Sequence, residues 1–364
     1  MKDIGQKCTT NVGEKTCEMI GKNMGEKNKK KVCILYTGGT IGMVPTPEGY
    51  APKKDYFSGL LDKIPQLKNP AMPEWDVVEF DPLLDSSNVA VEQWNYIGRE
   101  ILARYEQYDG FVVLHGTDTM SYTASALSFM LEGLGKPVIL TGSQIPLSEL
   151  RSDGQDNLIN SVLIAAEGRA REVCIYFAEK LLRGNRSTKA SSDQLMAFES
   201  PNYQPLATVG INIKYSKSAL EMPAQSSQLK LVQLSSSPIA VLKLFPGMRF
   251  DLFEQIVSEK LSGVILETFG SGNIPSNDKA LVKSIQRACE NGAIVAVCSQ
   301  CYQGSALLGT YAASNDLKES GAVGCFDMTT EAAVAKLYYL LTLGYGREKV
   351  KELMAWDLRG EITL

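Results

Sequence analysis

From Val32 onward the chain alternates two kinds of segment: short apolar runs rich in branched and aromatic residues, and longer stretches whose apolar residues recur at helical spacing. Few folds accept that order. A strand, a helix and a further strand in succession pack with the two strands parallel and the helix crossing one face of the sheet. The spacing predicts strands at 32–36, 77–80, 111–114, 138–140 and 173–177. Between them, Trp94, Ile97, Ile101 and Tyr105 form one helical stripe and Met120, Ala124, Leu127 and Leu131 another.

The pattern breaks at 214–228, KYSKSALEMPAQSSQ, where periodicity gives way to Ser, Lys and Pro. It resumes with strands at 231–234, 241–244, 264–268 and 294–298 and helices around 252–261, 279–290 and 330–343. At 364 residues the chain is long for one domain. The expected organisation is a polar, flexible leader at 1–30, an N-terminal domain at 31–213, a linker at 214–228 and a C-terminal domain at 229–364. The fold class is α/β: a larger N-terminal, mostly parallel sheet with flanking helices, plus a smaller C-terminal α/β domain.

Charge narrows the partners. With 37 Lys and Arg against 41 Asp and Glu, and the one lysine cluster confined to 27–31, no broad basic surface is expected for nucleic acid. No window reaches the roughly 18 apolar residues of a membrane helix, and the first thirty residues lack the apolar core of a secretion signal, so a cytoplasmic protein is expected. The eight cysteines are scattered, several in apolar runs, as reduced thiols and not as a disulfide framework. Cys298 and Cys301 read as a buried strand cysteine followed by a loop cysteine, and a single histidine, His115, leaves zinc short of ligands.

In open parallel sheets ligands bind beyond the carboxyl ends of the strands, which directs attention to three loops: TGGTIG at 37–42, DPLLDSSN at 81–88 and HGTDTMS at 115–121. Gly38 and Gly39 let the backbone approach a ligand closely, but neither glycine-rich nucleotide fingerprint is present. Asp118 stands between Thr117 and Thr119 at a helix start, where any of the three has capping as an alternative role. A threonine hydroxyl becomes a nucleophile only when something accepts its proton. Lys189, in NRSTKASSDQLMAF, beside an aspartate and a hydroxyl, is a candidate relay; alone it reads as a solvated surface lysine.

Together YTGGTIG, HGTDTMSYTA and RSTKASSDQLMAFESPNY resemble the L-asparaginase family, and SQCYQGS with DMTTEAAVAKLYYLL resembles its type I, cytoplasmic bacterial branch. The resemblance runs from about Lys31 to the end of the sequence. It implies hydrolysis of the side-chain amide of L-asparagine to L-aspartate and ammonia, with no metal or organic cofactor. It also implies Thr40 as nucleophile, Tyr50 of EGYAP as the mobile-loop tyrosine assisting it, and Thr117, Asp118 and Lys189 as the second set, with either Tyr50 or the Thr117 and Lys189 pair handling the proton. Asp118 is expected to take the substrate ammonium, and Ser86 and Ser87, beside Asp85, its carboxylate.

Family members act as oligomers in which a second subunit completes each site, so a homodimer or homotetramer is expected, with Tyr311 of GTYAAS the matching residue and Asn273 a further contribution. Some type I enzymes bind asparagine at a regulatory site; Thr268 and Cys301 match it, but Glu267 stands where regulated members have an arginine. Three alternatives are weighed. The amidase subunit of an archaeal-type tRNA-dependent amidotransferase shares the motifs but adds an N-terminal domain for which the leader is too short. A non-catalytic amino-acid sensor needs neither Thr40 nor Lys189, and a Ser-His-Asp hydrolase lacks its G-x-S-x-G elbow.

Overall fold

The computed structural model describes residues 29–363 apart from 48, 54, 221–227, 276–278 and 310–311. β1 (Lys31–Gly38) is followed by a hairpin, β2 (Met43–Thr46) and β3 (Gly49–Pro52), then by β4 (Glu74–Leu84), β5 (Gly110–Leu114) and the short β6 (Leu131–Glu132). Next come β7 (Val138–Thr141), β8 (Val173–Phe177), β9 (Lys180–Arg183), β10 (Thr188–Lys189), β11 (Phe198–Glu199), β12 (Ala207–Val209) and β13 (Ile213–Tyr215). An eight-stranded sheet takes the order β13-β12-β9-β8-β7-β5-β1-β4. β4, β1, β5, β7 and β8 run parallel, as the alternation predicts. The antiparallel edge formed by β9, β12 and β13 is an addition.

β1 shows why its sequence is apolar almost throughout. Cys33 and Leu35 enter one core while Val32, Ile34 and Tyr36 enter the other, because successive side chains of a strand point to opposite faces and here both faces are covered. The crossover from β1 to β4 carries the helix Phe57–Leu61 over one face, and that from β4 to β5 carries the helix Val91–Arg104 over the other. The chain therefore passes from β1 to β4 on one side and returns past β1 to β5 on the other, and at such a reversal a crevice is expected beyond the carboxyl ends of β1, β4 and β5.

β14 (Lys230–Leu231) precedes a second, four-stranded parallel sheet: β15 (Ile239–Lys243), β16 (Gly263–Thr268), β17 (Ile294–Ser299) and β18 (Val323–Gly324). This is the smaller α/β unit. The strand expected at 231–234 is corrected: only Lys230 and Leu231 are extended, and they pair antiparallel with β6 instead of joining the second sheet. Leu231 settles against Gly98 of the helix Val91–Arg104, where a side chain would collide with its Cδ1, so packing on the first unit decides its partner. Of the expected linker, Tyr215 ends β13 and Lys217–Leu220 is helical, while 221–227 lie outside the described residues, as do 1–28 of the expected leader.

The two units share a core through the helix Thr330–Thr342, whose Tyr339 ring lies 5.8 Å from that of Phe129. A second tie is ionic. Lys336 and Glu361, both fully buried, form a 2.6 Å pair, and the lysine's other protons go to the carbonyls of Met354 and Trp356. Arg186, also buried, donates to Asp327, to the Glu361 carbonyl, to the Asn202 carbonyl and to Thr363 Oγ1. The segment 357–363 is thereby laced to the turn that leads into β10. Breaking a buried pair from one side strands a charge, so Lys336→Met should lose about 3–5 kcal/mol in urea unfolding. Adding Glu361→Gln to that variant should recover a large part of the loss, which a purely steric role for Lys336 would not allow.

Candidate active site

Glycine brings the three loops together. Gly38 (φ 131°) and Gly39 (φ 85°) both lie in the positive-φ region that side chains disfavour. A Cβ on Gly38 would sit 2.2 Å from the Leu84 carbonyl oxygen, one on Gly39 2.5 Å from the Gly116 nitrogen, and one on Gly116 2.4 Å from Ser86 Oγ. The ends of β1, β4 and β5 are thus in backbone contact, and Thr37 adds a 2.8 Å hydrogen bond to the Leu114 carbonyl. Thr40, half-buried, opens the single 3-10 turn Thr40–Gly42 directly beyond this contact.

Thr117 is buried at the end of β5. Lys189 Nζ, carried by β10, donates to Thr117 Oγ1 at 2.8 Å and to Asp118 Oδ1 at 2.7 Å. The capping alternative is not realised. The helix Met120–Met130 has no side-chain cap, because Thr117 and Asp118 are engaged with Lys189 and Thr119 Oγ1 donates to the Ser86 carbonyl at 2.7 Å. Ser86 is buried in the next loop, Ser87 is exposed, and Asp85 caps their short turn by accepting from the Ser87 N–H at 3.1 Å. Tyr50, on β3, is half-exposed and donates to Glu149 Oε1 at 3.0 Å, a bond that raises its pKa.

The loop after β7 supplies residues that the sequence reading missed. Gln144 Oε1 accepts from Thr117 Oγ1 at 3.2 Å, and its Nε2 donates to the Gln194 carbonyl in the segment following Lys189. Asp153 fixes this loop by accepting from the backbone N–H of Gln144 and Ile145 and from Asn157 Nδ2. Leu147 N–H in turn donates to the Ile41 carbonyl, next to Thr40, and Glu149 holds Tyr50. One loop therefore touches the elements that carry Thr117, Thr40 and Tyr50. Its position after a strand was the available signal, since the same rule had singled out the other three loops.

His115 is buried and stands in a directed chain. Its Nδ1 meets the Gly116 carbonyl at 2.7 Å, which only accepts, so Nδ1 carries the proton. Nε2 then accepts from Thr123 Oγ1 at 3.0 Å, and Thr123 accepts from the Trp94 indole at 3.1 Å. Full burial pushes its pKa down to about 4, so the ring is neutral near pH 7 and its Nε2 is occupied by Thr123. That leaves no free base for a serine hydrolase.

The remaining expected positions lie apart from this cluster. Thr268 is buried with its hydroxyl on the Cys298 carbonyl, Cys301 is exposed, and Glu267 accepts from Thr330 Oγ1 at 2.6 Å. Glu267 and Cys301 line a cavity of about 170 Å³ with Glu331, whose carboxylate takes the Thr188 hydroxyl. Asn273 closes a turn with Phe269. Tyr311 lies outside the described residues. Among the described residues no cluster of three or more His, Cys, Asp or Glu is arranged to hold a metal, and no helix is long and apolar enough to cross a membrane.

Family models match both units: Asparaginase, N-terminal, over residues 31–221, and the Glutaminase/Asparaginase C-terminal domain over 238–354. The chain belongs to the asparaginase family. It is 44% identical to L-asparaginase 1 of Escherichia coli K12 over 92% of this chain and 98% of that protein. The crystal structure of L-asparaginase I from Vibrio cholerae superposes with a TM-score of 0.86 at 43% identity, covering 92% of this chain and all of that one. The mouse 60 kDa lysophospholipase is 39% identical over 92% of this chain, which spans 63% of that longer protein. The protein is a type I, bacterial-type L-asparaginase, an amidohydrolase acting on a linear amide.

Two outcomes follow from this asparaginase's geometry. Gln144→Leu removes the acceptor that takes the Thr117 proton and should lower kcat roughly tenfold with KM little changed, the worth of about one hydrogen bond. Gln144→Glu, which keeps an acceptor oxygen, should retain most of the rate. For His115, the unfolded chain gains a proton as pH falls through about 6.5, whereas the folded protein gains it only near pH 4. Stability is therefore lost between those values, by about 3 kcal/mol. Urea midpoints of His115→Gln should fall less steeply across that window than those of the parent, with asparagine turnover largely kept.

Proposed function

We propose that the enzyme hydrolyses L-asparagine through a covalent ester on Thr40. The observation that carries this reading is the hydrogen-bonded set Thr117, Lys189 and Asp118 at the end of β5, one backbone contact from the Thr40 turn through Gly39 and Gly116. In the attack, Thr40 Oγ1 bonds to the amide carbon and its proton is taken up by a neighbouring base. Collapse of the tetrahedral species breaks the C–N bond as a proton reaches the leaving nitrogen, and ammonia departs. Water then adds to the ester, and its cleavage releases aspartate and restores the threonine hydroxyl.

Lys189 donates to two oxygens, and in this role it orients Thr117 and supports Asp118. With Thr117 donating to Gln144, the free lone pair of its oxygen is available to a donor in the crevice. Tyr50 donates to Glu149, so as its oxygen takes the Thr40 proton its own proton passes to the Glu149 carboxylate, and the two act together as the base in this reading. Backbone N–H groups beside Thr40 and Thr117 stabilise the oxyanion, a donor of this kind being worth about 3 kcal/mol.

Asparagine is held as a zwitterion. Asp118, 64% exposed in its side chain, takes the ammonium, and the hydroxyls of Ser86 and Ser87 take the α-carboxylate, with Asp85 keeping their turn in shape. The active form is a homodimer or homotetramer in which the partner contributes Tyr311, and the chain divides into domains 31–213 and 229–364 about the linker 214–228. The free thiols of Cys33, Cys174, Cys289, Cys298, Cys301 and Cys325 support a reducing, cytoplasmic compartment.

Purified protein should release ammonia from L-asparagine, and Thr40→Ala should lower kcat by three orders of magnitude or more while retaining the fold by circular dichroism. Hydroxylamine added as a competing nucleophile should divert turnover to aspartyl hydroxamate, because an ester intermediate partitions between acceptors. Absence of hydroxamate, or substantial turnover by Thr40→Ala, would rule out the covalent route.

A further inference from the structure

Asp153 stands at the N-cap position of the helix Gly154–Glu167, where a carboxylate ordinarily accepts from the free N–H groups of the first turn. Its side chain makes no such bond. Both oxygens turn back to the loop after β7. Oδ1 accepts from the Gln144 and Ile145 N–H groups at 3.1 and 3.0 Å, and Oδ2 from the Gln144 N–H and from Asn157 Nδ2, each at 3.1 Å. Residues 142–153 hold no helix or strand, so ties of this kind set the course of the backbone there. Ser152 adds another, donating to the Ile145 carbonyl at 2.9 Å while its oxygen accepts from the Gly154 N–H at 3.0 Å.

Every group bonded to the carboxylate is a donor with no freedom to become an acceptor. Two are backbone N–H groups. The third, Asn157, is buried, with its Oδ1 on the Ala178 N–H at 3.1 Å and its Nδ2 also donating to the Gly142 carbonyl at 3.0 Å, so turning its amide over would break both bonds. Position 153 therefore requires an acceptor on both oxygens, and an amide there aims its NH2 at an N–H whichever way it is rotated. What the carboxylate secures is the backbone at Gln144, whose side chain takes the Thr117 proton. The ties farther along the loop, from the Leu147 N–H to the Ile41 carbonyl and from Tyr50 to Glu149, are made without Asp153.

We propose that Asp153 is a positioning residue for asparagine hydrolysis, acting through Gln144 on the hydroxyl of Thr117. It bonds the backbone that carries Gln144 and not Thr117 itself. The proposal rests on the reading that Thr117 takes part in turnover, and it holds whether or not the intermediate is an ester on Thr40.

Ammonia release by the full chain, resolved into kcat and KM, tests this with Asp153→Asn, which keeps the shape of the side chain and reverses the hydrogen-bond polarity of one of its two arms. kcat should fall about tenfold with KM within about twofold of the parent, the loss of about one hydrogen bond. In a Gln144→Leu background the same change should cost less than about a further twofold, because the bond it served is already gone, whereas independent losses multiply. Ser152→Ala frees the Ile145 carbonyl and leaves Asp153 in place; it should lower kcat about threefold and likewise add little beside Gln144→Leu. A role confined to stability would move urea midpoints and leave the kcat of the folded enzyme at the parental value. Parental kcat in Asp153→Asn, or losses that multiply with that of Gln144→Leu, would overturn the proposal, and Ser152→Ala decides by the same two criteria should Asp153→Asn not fold. Thr117→Val separates the proposal from the mechanism beneath it. Parental kcat in that variant would remove the Thr117 set from the reaction and Asp153 with it, whereas a slow Thr117→Val beside multiplying losses would remove the role of Asp153 alone.

Discussion

The contact of three backbone segments at glycine is the constraint on which the site depends. Parallel strands place their carboxyl ends side by side, but the loops beyond them ordinarily diverge, because side chains hold them apart. Here Gly38 lies on the Leu84 carbonyl, Gly39 on the Gly116 nitrogen and Gly116 on Ser86. A methyl group at any of the three would overlap a neighbour by an ångström or more. The positive φ of Gly38 and Gly39 then turns the chain sharply enough that Thr40 is the first residue beyond the seam. Chain direction, close approach and the position of a hydroxyl are thus fixed by the same two residues.

The second support is buried charge. Thr188 and Lys189 form a strand only two residues long, paired with β11 alone, and an element so short has little stability of its own. Its position is imposed from behind. Arg186 is satisfied by Asp327, Asn202, Glu361 and Thr363, and Thr188 by Glu331, so the residues flanking Lys189 are tied into the second unit. Burying a guanidinium is tolerable only with its donors fully used, and such a network accepts very few geometries. The C-terminal unit thereby helps to orient a residue of the N-terminal one.

What the sequence disclosed follows from how each element is stabilised. β1, β5, β7 and β8 are covered on both faces, so they appear as unbroken apolar runs, and 173–177 falls where the run does. The antiparallel edge was not legible, because the turn from β8 to β9 is made by Ala178 and Glu179 at positive φ and carries no Asn-Gly or Asp-Gly signal. Its conformation is held from outside, by Asn157 Oδ1 accepting from the Ala178 N–H, a tertiary contact that local sequence cannot show. Leu231 likewise looked like a strand residue and takes its partner from the groove over Gly98. Thr40, Thr117 and Asp118 were legible as candidates because several loops at strand ends carried hydroxyls at once, while Lys189, which alone reads as a solvated surface lysine, became one through the family resemblance. Gln144 and Glu149 were not, since a polar side chain in a loop looks the same whether it orients a hydroxyl or faces water.

The Lys189 and Asp118 pair separates stability from function. Its carboxylate is 64% exposed, and an ion pair open to water on one side contributes about 0–1 kcal/mol to folding. The pair at Lys336 and Glu361 is its opposite, fully buried and essential to the lacing of 357–363. A fold selected for stability alone gains almost nothing from setting Lys189 between a buried threonine and an exposed aspartate. In the reaction proposed for Thr40 the gain is chemical. Lys189 fixes the orientation of Thr117 from one side while Gln144 takes its proton on the other, and a hydroxyl committed in both directions has one remaining lone pair, whose direction is set before any substrate arrives. Preorganisation of that kind removes an ordering cost from the reacting complex, and it accounts for charge placed where it does little for the fold.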